Sequence, residues 1–414
     1  MRVLFLCHNH PSLQAGGTEV FARNLFRRLR DHHGVEGLFL AAVTSAHREW
    51  LPGTMVQSIG TATDELLLWL DRFDRFFLSQ PDTYGLASIA PLIEELAPDV
   101  IHVHHALQLG VETLDLIRRL APQARLVFTA HDFFPLCAQE GQLLTTDGRL
   151  CTGPTLDGCL KCFPGRPPGD LIMRDLQMRD AFEDFAHILV PSEFALGRYL
   201  AAGWAPERFS VMPNGVPDLP PVAHRAAPDG RRDRFGFFGH INRFKGSLML
   251  LRASHLLSGD GVAHRLTLNG GAAYQSESFM VEFDTGLAEA PAASFRGAYT
   301  PEELPALMEQ VDWVVIPSIW WENAPLVVQE AFRHRRPVIC SGIGGTAEMV
   351  RDGVDGLHAP VKDPAGLAQV MRRAIDTEGL WERLVDGIAP PLTVEAAALA
   401  HLDLYKAAMA TVAD

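Results

Sequence analysis

Short, unbroken apolar runs alternate with stretches of helical period along this chain, and that alternation restricts it to a layered α/β fold. The runs fall at residues 2–7, 38–42, 100–104, 126–130, 188–190 and 209–212. A second set falls at 234–238, 265–269, 294–296, 313–316, 338–340 and 356–358. Continuous rather than alternating apolarity suits strands buried on both faces of a parallel sheet. Helical spacing lies between them, as in Val20, Phe21, Leu25, Phe26 and Leu29, and in Leu248, Leu250, Leu251, Leu256 and Leu257. The expected architecture is two Rossmann-like, doubly wound parallel-sheet domains facing a central cleft. Ligands in such sheets bind outside the carboxyl ends of the strands.

The two strand sets are separated by Pro213-Asn214-Gly215-Val216-Pro217-Asp218-Leu219-Pro220-Pro221 and a polar stretch at 226–233, the composition of a domain boundary. The expected domains are 1–215 and 216–394. The 414 residues carry 36 basic and 50 acidic groups, a net charge of −14, which excludes a general nucleic-acid coat. No apolar run reaches the ~18 residues of a membrane span. Val3-Leu4-Phe5-Leu6-Cys7 stops at His8 and reads as a strand, not a signal peptide. With six cysteines and no export signal, the cytoplasm is the expected compartment. Leu66-Leu67-Leu68-Trp69-Leu70, followed by Phe73, Phe76, Phe77 and Leu78, reads as a helix packed on the first sheet. The other reading is a surface for a lipid-linked acceptor or for peripheral attachment at the inner membrane face. Asp64, Glu65, Asp71 and Asp74 oppose anionic lipid.

Several motifs sit where strands give way to helices. Gly16-Gly17-Thr18-Glu19 follows the first run; its glycines allow backbone N–H groups to approach a phosphate at a helix start. It is neither G-x-G-x-x-G nor a P-loop. Gly239-His240-Ile241-Asn242-Arg243-Phe244-Lys245-Gly246 follows the first run of the second set, and Arg243 and Lys245 there suit a diphosphate. Trp320-Trp321-Glu322-Asn323-Ala324-Pro325-Leu326-Val327-Val328-Gln329-Glu330 places Glu322 in a loop and Glu330 inside the next helix. Their carboxylates suit the vicinal hydroxyls of a sugar and of a ribose. Gly342-Ile343-Gly344-Gly345 is a third glycine-rich turn. His131, at the end of 126–130, is placed for hydroxyl binding or proton transfer. Cys137, Cys151, Cys159 and Cys162 cluster in a Gly- and Pro-rich segment. Four thiolates suit a closed, structural zinc site; two disulfides, a redox pair or unligated thiols are the other readings.

With these motifs the sequence resembles the retaining, nucleotide-sugar-dependent glycosyltransferases of family 4, which have the GT-B fold. The likeness rests on Glu322 to Glu330, on Gly239 to Gly246, on Pro213-Asn214-Gly215-Val216, on Gly16-Gly17 and on Val190-Pro191-Ser192-Glu193. It implies transfer of a sugar from a nucleoside-diphosphate sugar to a glycan or lipid-linked acceptor, in cell-surface polysaccharide or glycoconjugate synthesis. It implies Lys245 on the donor diphosphate, the Gly16-Gly17 turn in donor binding with the Gly17 backbone near the phosphate or the transferred sugar, and Glu330 on the ribose. Glu322 then holds the donor sugar, with the backbone of Asn323, Ala324, Pro325 and Leu326 beside it, and His131 lies by the reacting centre. The family's arginine after the first glycine is His240 here, which leaves Arg243 as the nearest guanidinium. The last helix, 395–414, is expected to pack back on the first domain. No Asp-x-Asp is present, so no cofactor is expected in catalysis. The rival readings are a GT-B sugar-nucleotide epimerase and a non-catalytic sugar-nucleotide-binding subunit.

Overall fold

The computed structural model describes residues 1–410 except 226, 228, 229 and 274. Two compact units emerge: Met1–Pro217 with Leu392–Asp414, and Asp218–Pro391. The division is fixed by backbone pairing, because Val216 N–H donates to Leu392 O and Val394 N–H donates to Val216 O. A Cβ on Gly215 would stand 2.5 Å from Thr393 O, so only glycine permits that approach.

The first unit holds one sheet in the order β3-β4-β2-β1-β5-β6-β7-β8. Its strands are β1 (Arg2–His8), β2 (Glu36–Val43), β3 (Val56–Ser58), β4 (Glu65–Trp69), β5 (Val100–Val103), β6 (Arg125–Thr129), β7 (His187–Val190) and β8 (Phe209–Val211). All neighbours run parallel except β3 with β4. The helix Gly17–His33 buries Phe21, Leu25, Phe26 and Leu29 along one face and ends at Gly34 in the left-handed region. The helix Val394–Ala410 packs beside it, and Glu395 reaches His33 (3.0 Å) and Arg28 (3.6 Å). Residues 411–414 of the expected last helix lie outside the described residues.

One expectation is corrected here. The run beginning at Glu65 is strand β4, paired in parallel with β2, and not a helix. Leu67 and Leu68 are fully buried, as the inner strand next to β2 requires. The carboxylate that opens the strand is taken up inside the fold. Glu65 is 1% exposed and receives His10 Nε2 (3.0 Å), Arg23 Nε (2.8 Å) and Arg27 Nε (2.6 Å).

The second unit holds a six-stranded, all-parallel sheet in the order β11-β10-β9-β12-β13-β14. Its strands are β9 (Arg234–Phe238), β10 (Arg265–Asn269), β11 (Ala293–Gly297), β12 (Trp313–Ile316), β13 (Val338–Ser341) and β14 (Gly356–Ala359). Alternate residues feed two cores. Phe235, Phe237, Trp313 and Val315 join Leu250, Leu257 and Met371 on one face. Phe238, Val314, Ile316 and Cys340 join Val328, Ala331 and Phe332 on the other. Burial on both faces is why these strands carry unbroken apolar runs. Among the described residues no helix is long and apolar enough to cross a membrane.

Candidate active site

In the second unit, β9 and β12 are neighbours, and the loops leaving their carboxyl ends lie side by side. The two loops are stitched by Ile319 N–H donating to Phe244 O at 2.8 Å. Gly246 sits at φ +75°, and a Cβ there would fall 1.9 Å from Pro317 O. Glycine is therefore required for the loops to touch. Lys245 is aimed by its own turn, in which Asn242 Oδ1 accepts from Lys245 N–H at 2.8 Å.

The result is a compact charged centre. Lys245 Nζ lies 2.8 Å from Glu322 Oε1 and 3.0 Å from Oε2. Ser318 Oγ and Trp320 Nε1 also donate to Oε1, at 2.6 and 2.8 Å. Glu322 is buried while Lys245 keeps about a quarter of its side chain in solvent (7% and 28% exposed). Burial alone would raise the Glu322 carboxyl, but Lys245, with the hydrogen bonds from Ser318 and Trp320, outweighs it and holds the group below its ordinary value.

Asn323 follows in the same loop and is buried. Gly345 N–H donates to Glu322 O at 2.8 Å. A Cβ on Gly345 would meet Asn323 O at 1.5 Å, so the third glycine turn supports the Glu322 loop from behind. Ala324 and Pro325 lead into the helix Leu326–Arg333, with Pro325 at its N-cap. Glu330 projects from that helix near Tyr299, and burial raises its carboxyl to about 7. Arg243 does not join Lys245. Its guanidinium pairs with Glu282 at 2.6 Å and is half exposed.

The first unit gathers histidines and carboxylates at the carboxyl ends of β1, β5 and β6. His131 Nε2 lies 3.1 Å from His104 Nδ1, with the rings stacked. Burial lowers His131 to about 3, so at neutral pH it is an uncharged imidazole. Sequence reasoning missed four residues gathered here: His8, His104, His105 and Asp132. His8 Nε2 pairs with Glu19 at 3.2 Å, His105 Nε2 pairs with Asp132, and the His8 and His105 rings are 4.3 Å apart. Leu107 N–H donates to His105 Nδ1, which leaves the proton on Nε2 facing Asp132. Their sequence signal is position alone: His8 ends β1, and His104-His105 follow β5. Gly16 caps the helix that Gly17 opens, and a Cβ on it would lie 2.5 Å from Glu19 Oε2. A carboxylate thus stands beside the turn that the sequence assigns to a phosphate.

The four clustered cysteines are in no disulfide. Cys137 Sγ points to Gln139 O and Cys151 Sγ to Gly153 O. Among the described residues no three Cys, His, Asp or Glu side chains are arranged to hold a metal ion. The expected zinc site therefore has no assembled ligand set in this structure. Cys7 and Cys340 are core residues, each 0% exposed.

Comparison with known proteins agrees with this layout. Residues 15–218 match the glycosyltransferase family 4 model, and residues 232–377 match the model of glycosyl transferases group 1. The D-inositol 3-phosphate glycosyltransferase of Salinispora arenicola is 29% identical over 411 residues, covering 92% of this chain and 84% of that protein. Among solved structures, HepE of Anabaena, determined with UDP and glucose, superposes with a TM-score of 0.70 at 16% identity, covering 98% of this chain and all of that one. Sucrose-phosphate synthase of Thermosynechococcus elongatus gives 0.69 at 17% identity, covering 99% and 100%. Two parallel-sheet α/β units carrying these two matched regions make the chain a glycosyltransferase of family 4 with the GT-B fold.

Proposed function

We propose that this enzyme transfers a sugar, with retention, from a nucleoside-diphosphate sugar to a hydroxyl of a glycan or lipid-linked acceptor. The observation that carries the reading is the second-unit centre. One lysine and two carboxylates, Glu322 and Glu330, project from the carboxyl-end loops of β9 and β12 and the helix that follows. A departing nucleoside diphosphate gathers negative charge on its phosphate oxygens. Lys245 and the N–H groups opening the helix Leu326–Arg333 are the groups suited to stabilise it. Glu330 suits the ribose hydroxyls and Glu322 a sugar hydroxyl. Neutral His131 suits a hydrogen bond to the sugar rather than proton donation. Retention fits front-face attack, in which the departing phosphate takes the acceptor's proton. The solved relative holding UDP and glucose supports the donor class.

The test is direct. Purified protein is screened for thermal shift against UDP-, GDP-, ADP- and dTDP-sugars, since a ligand of the folded state raises the midpoint. The best donor is then incubated with and without an acceptor extract. Nucleoside diphosphate released only with acceptor is the expected result; no turnover with any donor would overturn the reading.

A further inference from the structure

Glu322 distributes its hydrogen bonds unevenly. Among the described residues, Oε1 accepts from Lys245, Ser318 and Trp320, which exhausts its capacity, while Oε2 accepts from Lys245 alone. The carboxylate is thus pinned by one oxygen and offers the other. The indole of Trp320 does more than donate. Lys245 Nζ lies 5.6 Å from its ring centroid, within cation–π range, and the ring leans on Phe244 at 5.9 Å. One side chain therefore touches both members of the ion pair and the residue that precedes the lysine.

We infer that Trp320 and Ser318 are positioning residues for the transfer reaction. Together they lock the rotamer of Glu322, and through it Lys245, so that Oε2 and Nζ are held ready for the donor. The inference rests on the proposed sugar-transfer reading and assigns these two residues no contact with substrate. A charge-assisted hydrogen bond to a buried carboxylate is a large enough interaction for its loss to be felt in catalysis. Misplacing Lys245 or Glu322 removes stabilisation at the transition state, so kcat and kcat/KM fall together.

The experiment uses the full chain and the nucleotide sugar giving the largest thermal shift. Trp320→Phe keeps a ring and loses the N–H; Ser318→Ala loses only the hydroxyl. Each is expected to lower kcat/KM about tenfold, with thermal midpoints close to wild type. Both are repeated in a Glu322→Ala background, with donor affinity by calorimetry as a second readout. There each is expected to cost less than about twofold, because its target is gone. Full penalties persisting in that background, or wild-type rates in both single variants, would overturn the inference while leaving sugar transfer intact. If Trp320→Phe fails to fold, the Ser318→Ala cycle decides alone. Wild-type protein that neither binds nor turns over any nucleotide sugar overturns the transfer reading, and this inference with it.

Discussion

Lys245 and Glu322, 77 residues apart in the chain, meet through a two-oxygen contact of 2.8 and 3.0 Å. The lysine leaves a carboxylate that is only 7% exposed if it is removed. Lys245→Ala should therefore lose stability as well as activity. Partial solvent access of the lysine keeps the stability loss to about 1–3 kcal/mol by urea unfolding. The kcat loss should be about 10²–10³, as for other single oxyanion donors. Because the folded Glu322 pKa is lowered, the pair's contribution is full at neutral pH and fades only as pH falls through the acid carboxylate range. A variant with normal kcat would remove Lys245 from the reaction.

Glu330 has the opposite sign. Burial lifts its carboxyl to about 7, so folding favours the protonated form. Its contribution to stability is full below the ordinary carboxylate value and lost as pH rises through about 7. Glu330→Gln should be more stable than wild type at pH 8, by about 1–2 kcal/mol once solvent access is allowed for. The ionised form is the better acceptor for two ribose hydroxyls. Donor KM in the wild type should rise as pH drops from 8 to 6, and the Gln variant should show a high, flat KM. A flat wild-type KM would argue against ribose binding.

How far the sequence carried this depended on whether each cause was local. Strands β9, β12 and β13 were legible because burial on both faces writes an apolar run into each one. Strand β4 was not, because the partners of Glu65 are His10, Arg23 and Arg27, 38 to 55 residues earlier. The motifs marked Lys245 and Glu322 individually but could not show that they clasp each other. Arg243 reads as a phosphate ligand beside Lys245, yet the turn aims it at Glu282. The His8–Glu19 and His105–Asp132 pairs exist only because β1, β5 and β6 end at one edge.

His131 makes a spectroscopic prediction. Burial, then the neighbouring His105, hold its pKa near 3. Its ring resonances should not titrate between pH 8 and 5 in the folded protein, and they should carry the signature of a neutral tautomer. A midpoint near the ordinary histidine value would show instead that the imidazole is solvated and able to donate a proton.

Two glycines in the second unit should tolerate no side chain. Gly246→Ala forces a Cβ against Pro317 O in a left-handed backbone, and Gly345→Ala forces one against Asn323 O. Each should cost at least about 2 kcal/mol and displace the Lys245 or Glu322 loop. Gly165→Ala, where a Cβ meets nothing within 4 Å, serves as the neutral comparison. Urea denaturation ranks the three; equal midpoints would mean the loops do not approach as described.

The cysteines give a chemical count. Cys7 and Cys340 are fully buried, and burial pushes both thiols up, so neither should react in the native state. Cys137, Cys151, Cys159 and Cys162 are each partly exposed and in no disulfide. A thiol reagent at pH 8 should label these four in native protein and all six after denaturation. Cys137 and Cys159 should react more slowly than ordinary thiols, because burial raises them. Prior treatment with a chelator should leave the native count unchanged, since among the described residues no three such side chains are placed to hold a metal ion. A count that rises only after chelation, with zinc recovered in the eluate, would show that a metal draws the four thiolates together.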